Sequence, residues 1–270
     1  MNWSCPLCQL PLQRQGGALV CPSRHSFDIA REGYVNLLPV GRKRSRDPGD
    51  NRDMIDARRR VHAAQFYRPL ADRLSSCVRD FAGSSATVLD LGCGEGYYAG
   101  VLLEQLPGLS LYGVDISKAA VRLAARTCPR AQFAVASAAR VPLPDQCLDT
   151  IVSVFAPVTV SELRRLLRPG GIYLKVVPAP EHLWSLRSLL YDQPRAHAEN
   201  LPALAGFSVR EKMALAYEVE LDGPLLQDLV AMTPYAYGGQ RENKQRLAER
   251  ERLSVGMAFQ LVAAELETVV

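Results

Sequence analysis

No apolar run in these 270 residues approaches the length needed to cross a membrane. Cys5 and Cys8 stand where a secretory leader would carry its apolar stretch, so export is not expected and a cytoplasmic location is. Charge surplus is small, with 32 Lys and Arg against 28 Asp and Glu, a net +4. The seven cysteines are odd in number and cannot all pair. In a cytoplasmic chain they point to a metal or to isolated thiols before disulfides. What is present is ordinary for a globular protein: 48% hydrophobic and 22% charged residues. That length suits one main domain with a small appendage.

The small surplus is unevenly placed. Residues 1–70 hold 12 Lys/Arg against 6 Asp/Glu, a balance of +6, while the other 200 hold 20 against 22, a balance of −2. Within the head, Cys5 and Cys8 are two residues apart, Cys21 and His25 three apart, and twelve residues separate the pairs. Each close pair lets two side chains converge on one ion, and a hairpin between them brings the second pair opposite. The pattern predicts a closed, structural Cys3His zinc site. Disulfide pairing is the alternative, but it leaves His25 without a role. Cys77, Cys93, Cys128 and Cys147 remain as lone thiols. Residues 42–60 carry eight basic and four acidic side chains. Arg42, Lys43, Arg44, Arg46, Arg58, Arg59 and Arg60 are the candidate contacts to a polyanion, and a solvated linker is the bland alternative. The expected boundaries are a zinc-binding ribbon over 1–40, a basic linker over 41–62 and the main domain over 63–270.

The main domain reads as alternating strands and helices. Phe66, Leu70, Leu74, Val78 and Phe81 repeat at helical spacing and Gly83 ends that helix. Strands follow at 88–91, 111–114, 133–136, 148–155 and 172–177, with helices at 97–106, 118–127 and 162–167. Strands over 207–221 and 255–263, with a helix at 225–232 between them, complete a seven-stranded, doubly wound Rossmann-like α/β core. The first strand opens into Gly92-Cys93-Gly94-Glu95-Gly96-Tyr97-Tyr98. Dinucleotide sites space their glycines G-x-G-x-x-G to seat a pyrophosphate on a helix N-terminus. Here the third glycine comes one residue early and Glu95 would repel a pyrophosphate but suit a sulfonium. The loop therefore favours S-adenosylmethionine (SAM) over NAD.

The expected cofactor residues are Asp90, Gly92, Gly94, Glu95, Gly96, Tyr97 and Tyr98 at the first strand. Asp115 and Ile116 follow at the second, with Asp115 on the ribose, then Ala136 and Ser137 at the third and Phe155 at the fourth. Ser137 capping a turn and Phe155-Ala156-Pro157 merely ending a strand are the plain alternatives. The fourth strand lacks the Asn/Asp-Pro-Pro-aromatic motif of amino-group methylases and the Pro-Cys of enzymes that attack pyrimidine C6. Residues 232–237, Met-Thr-Pro-Tyr-Ala-Tyr, form an aromatic loop suited either to stacking on a base or to packing.

The segments SCPLC, CPSRHSFDIAREGYVNLLP, RSRDPGD, VLDLGCGEGYY and MTPYAY closely resemble the bacterial 23S rRNA (guanine-N1)-methyltransferases of the RlmA type. The likeness spans most of the chain and thins after about residue 238. It implies that Cys5, Cys8, Cys21 and His25 bind one zinc ion and that SAM also touches Tyr67 and His182. It implies a 23S rRNA hairpin as partner, recognised with help from the zinc module. RSRDPGD looks like the Gram-negative, 745-type branch. The implied reaction is methyl transfer to N1 of a guanine splayed from a hairpin loop. Its N1 proton must leave, and His182 or a water held by a carboxylate is the candidate base. A small-metabolite methyltransferase and a non-catalytic zinc-ribbon RNA-binding protein are the rival readings, and a homodimer is compatible with all three.

Overall fold

A computed structural model describes residues 3–39, 51–197 and 204–267. The chain begins with a three-stranded antiparallel ribbon, β1 (Gln13–Gln15), β2 (Ala18–Val20) and β3 (Ser26–Asp28). No helix lies between the cysteine pairs. A two-residue strand, β4 (Val35–Asn36), then leaves the ribbon and joins the main sheet.

The main domain has the predicted alternation. Its elements are α2 (Arg68–Ala82), β5 (Thr87–Leu91), α3 (Tyr97–Gln105), β6 (Ser110–Asp115), α4 (Lys118–Thr127) and β7 (Gln132–Val135). There follow β8 (Leu148–Val154), α5 (Val160–Leu166), β9 (Leu167–Pro178), α6 (Trp184–Leu190), β10 (Phe207–Asp222), α7 (Gly223–Ala231), α8 (Arg241–Ala248) and β11 (Arg252–Leu266). The sheet order is β10-β11-β9-β8-β5-β6-β7-β4. All neighbours are parallel except β11, which runs against both β10 and β9. All seven expected strands are there, and the ribbon contributes an eighth.

Side chains alternate across the sheet as the strand period requires. Val88, Val152, Leu174 and Phe259 pack on one face with Leu70, Leu74 and Val78 of α2. Leu89, Leu91, Ile151 and Tyr173 pack on the other, where Trp3 and Leu12 of the ribbon join them. Trp3 meets Tyr112 edge-on at 5.2 Å, and Ser4 N–H donates to the Pro142 carbonyl at 2.8 Å. Ribbon and main domain thus share a sheet and a core.

The expected linker is half helix. From residue 52 the chain forms α1 (Arg52–Ala63), capped by the Asn51 side chain, which accepts from Met54 N–H at 2.9 Å. Its buried face is Ile55, Ala57, Val61 and His62. The basic residues obscured that stripe because they occupy the other face. At the far edge, Leu215 and Pro178 both pair with Phe259, so residues 216–222 of β10 continue past the end of β9. That projection carries α7 and α8 above the C-terminal ends of the parallel strands, and α1 packs against α7.

Candidate functional site

At the head, one donor atom from each of Cys5, Cys8, Cys21 and His25 lies within 4.8 Å of the other three. Cys5 Sγ and Cys21 Sγ are each 3.4 Å from His25 Nδ1, and Cys8 Sγ is 3.6 Å from Cys21 Sγ. Those are the edges of a tetrahedron with bonds of ~2.3 Å to sulfur and ~2.0 Å to nitrogen, the geometry of zinc. A backbone hydrogen bond from Leu10 is the main influence pulling the Cys8 thiol down to about 6, toward the thiolate a metal needs. All four donors come from the protein, so this set leaves no open position for substrate. The residues fit one structural zinc ion.

The second site lies where the parallel strands end. β5 runs into Gly92, Gly94 and Gly96, all at positive φ. Their reasons differ. A Cβ on Gly92 would stand 2.5 Å from the Ala156 Cβ, and one on Gly96 would stand 2.9 Å from the Ala124 Cβ of α4. Those two glycines let the loop pack. Gly94 meets only the tip of Arg58, at 3.9 Å, and is the open one. Asp115 holds the loop: its carboxylate accepts from Gly94 N–H at 3.0 Å and from Ser117 N–H at 2.8 Å. Beyond β7, Ala136 N–H donates to the Asp115 carbonyl at 3.0 Å, and Ser137 Oγ accepts from Ala139 N–H at 3.2 Å. Asp90 is 1% exposed and its Oδ2 has no hydrogen-bond partner. Burial, then the charges of Asp115 and Glu95, push its carboxyl up to about 7. A buried acceptor without a donor, beside bare loop backbone, fits a ligand that brings hydrogen-bond donors.

Glu95 departs from expectation. Rather than facing a sulfonium, its carboxylate pairs with His62 Nδ1 of α1 at 2.5 Å, both side chains buried. Burial alone would raise the Glu95 carboxyl, but His62 and the Arg58 charge overcome it and hold the group below its usual range. His62 stacks on Tyr97 at 4.1 Å and meets Tyr67 and Tyr98 edge-on at 5.3 and 6.0 Å. Tyr67 in turn touches Phe259. The three expected tyrosines are therefore brought together, but around a histidine that lay inside the expected linker. Its signal was its place on the apolar face of α1.

The basic residues also divide. Arg60 makes a two-pronged bond to Asp228 of α7, both contacts 2.6 Å. Arg58 Nη2 donates to the Met232 carbonyl at 3.3 Å, and Arg59 sits 3.6 Å from Asp56. Arg58 and Arg60 thus fasten α1 onto the cap, because Asp228 and the end of α7 face that side of the helix. Arg42, Lys43, Arg44 and Arg46 lie outside the described residues. The aromatic loop joins the same cap: Tyr237 Oη bonds both Asn51 and Met54 of α1, and Tyr235 Oη bonds His197 at 3.0 Å.

Residues 3–46 match the zinc-ribbon family described as RlmA, N-terminal, and residues 88–171 match the family described as Methyltransferase domain. The 23S rRNA (guanine(748)-N(1))-methyltransferase of Streptomyces fradiae is 38% identical over 240 residues, 86% of this chain and 85% of its own. The chain belongs to the 23S rRNA (guanine-N1)-methyltransferase family. A Bacillus subtilis (strain 168) relative with a provisional name of the same kind is 32% identical over 264 residues, 93% of this chain and 92% of its own. The solved MccD protein has a TM-score of 0.50 at 16% identity, over 74% of this chain and 98% of that one, which shows the fold alone.

In this guanine-N1-methyltransferase family member, the strand ends beyond β5 carry Phe155 and His182. Phe155 is 45% exposed, and its ring centroid lies 6.3 Å from His182 and 5.9 Å from Phe259. His182 is buried, and its Nδ1 accepts from Ala258 N–H at 3.2 Å. That bond places the ring proton of the neutral imidazole on Nε2. Burial, helped by His197, drops the His182 pKa to about 3. Its Nδ1 lone pair is engaged and its basicity is low, which disfavours this ring as a proton acceptor.

Proposed function

We propose that the chain transfers the methyl group of SAM to N1 of a guanine in a hairpin loop of 23S rRNA. The observation that carries this reading is the likeness to the Streptomyces fradiae enzyme over 86% of the chain, together with a zinc quartet in the ribbon and a glycine loop at the end of β5. SAM supplies an electrophilic methyl on a sulfonium. Gly94 offers it bare backbone, Asp90 a buried acceptor, and Asp115 fixes the loop from the next strand. Ile116, Ala136 and Ser137 stand at adjoining strand ends, where the rest of such a ligand would lie. Tyr67, Tyr97 and Tyr98 form the wall beneath α1. His182 keeps a fixed ring with its proton on Nε2, and in this reading the guanine N1 proton leaves to water. In-line positioning of donor and acceptor supplies much of the rate.

Arg42, Lys43, Arg44 and Arg46 precede α1 in the sequence, and we take them as the grip on RNA phosphates. That predicts an affinity that falls steeply with salt. We take the 745-type guanine as the target and a cytoplasmic assembly intermediate or free rRNA as the form recognised. Among the described residues no helix is long and apolar enough to cross a membrane. The test is mass spectrometry of 23S rRNA from a deletion strain, paired with tritium transfer from labelled SAM to stripped rRNA. Loss of one N1-methylguanine and its restoration by the purified chain are expected, and the fragment mass tells the 745-type site from the 748-type site. Unchanged N1-methylguanine would overturn the reading.

A further inference from the structure

β8 ends at Val154 and the chain turns sharply through Phe155-Ala156-Pro157. Phe155 has φ +56°, a left-handed conformation that a bulky side chain adopts only against strain. Several contacts hold it there. Phe155 N–H donates to the Val176 carbonyl at 3.1 Å. The Ala156 carbonyl accepts twice, from Ser153 Oγ at 3.1 Å and from Lys175 Nζ at 3.0 Å. Lys175 is 8% exposed, so a buried ammonium, costly in any fold, is spent on one neutral carbonyl. The Ala156 methyl also fills the space over Gly92. The turn is locked between β8, β9 and the glycine loop.

What the strain presents is the ring of Phe155, close to half exposed on a turn otherwise tied down. Its neighbours are Phe259 of β11 and His182 after β9, so it leans over the β9–β11 half of the strand ends. Asp115, Ile116 and Ser137 occupy the other half, beyond β6 and β7. The expected assignment of Phe155 to the cofactor therefore fits its position poorly. We propose instead that Phe155 is the face on which the acceptor guanine stacks, with Lys175 and Ser153 as positioning residues that hold the strained turn. This rests on the guanine-N1 reading. A phenyl face binds any base by stacking.

The test uses the full chain, stripped 23S rRNA and labelled SAM. Phe155→Leu is expected to lower kcat/KM for RNA roughly 5- to 150-fold, the range for losing one base–aromatic stack. SAM affinity by calorimetry should stay unchanged, and Phe155→Tyr should retain activity. Lys175→Met should raise the KM for RNA by less, and its loss should shrink well below additive on a Phe155→Leu background, because it acts mainly through the turn that presents that ring. A fall in SAM affinity in step with activity would return Phe155 to the cofactor and overturn the proposal. So would additive losses in the double variant, or wild-type kinetics in Phe155→Leu. If the unmodified chain transfers no methyl to 23S rRNA, the guanine-N1 reading fails and takes this proposal with it. If it does transfer and Phe155→Leu matches it, the proposal fails alone.

Discussion

The buried His62–Glu95 pair gives the sharpest test of how α1 is held over the glycine loop. Replacing His62 with Phe keeps a flat ring against Tyr97 but leaves the Glu95 carboxylate buried without its partner. Breaking a buried pair from one side costs about 3–5 kcal/mol. Arg58 still faces Glu95, so the lower end, about 3 kcal/mol, is expected. For chains near this size each kcal/mol moves Tm by about 2–4 °C, giving a fall of roughly 6–12 °C. Scanning calorimetry at pH 7.5 without SAM reads it directly. Replacing both partners with apolar groups, His62→Phe with Glu95→Leu, should recover most of the loss, since no charge is then stranded. The pair also sets a pH dependence. Because the folded state holds the Glu95 carboxyl low, its stabilisation is present above the unfolded value near 4.5 and disappears as pH falls through the folded one. The gap between wild type and His62→Phe should therefore close on acidification. A single variant that melts within about 2 °C of wild type, or a double variant showing the sum of two losses, would refute the reasoning.

Asp90 has the opposite sign: its folded carboxyl is raised from 3.8 to about 7, so stability without cofactor should fall as pH rises between those values. Asp90→Asn should flatten that slope while weakening SAM binding, and equal slopes in urea unfolding would contradict the assignment. Gly92→Ala forces a methyl to 2.5 Å from Ala156 at φ +84° and should cost about 2–5 kcal/mol, the sum of overpacking and a left-handed alanine. Gly94→Ala, which meets nothing closer than 3.9 Å, should cost about 1–2 kcal/mol, and denaturant midpoints for the two must keep that order. Removing zinc, by chelation or Cys21→Ser, should release Trp3 from Tyr112 and red-shift its emission; an unchanged spectrum after full metal loss would show the ribbon stands without it.

The parallel strands and the glycine loop were legible because each carries a continuous apolar run bounded by turn residues. The zinc quartet was legible from spacing alone. What escaped depends on partners distant in sequence. Glu95 reads as a loop acid until His62, 33 positions earlier, is folded against it. β4 is two residues long and leaves no periodicity to find. α1 hid under its charges, since its apolar face is only four residues wide. Lys175 looks like an interruption in an apolar strand, and only the turn after β8 shows what its ammonium holds.

The two borders of the sheet are guarded by different means. On one side β4 covers β7, so a chain trimmed of its first 60 residues would bare the N–H and C=O groups of β7 and the apolar flank of Tyr112. Such a truncation would be sticky as well as incomplete, and loss of activity in it would say little about RNA recognition. On the other side β10 ends the sheet with Arg210, Glu211, Lys212, Glu218 and Glu220 along its length, charges that discourage a second copy from adding strand to strand. Substitutions at the four zinc ligands, judged by where the RNA still binds, separate the ribbon's role in recognition from its role as a border far better than deletion can.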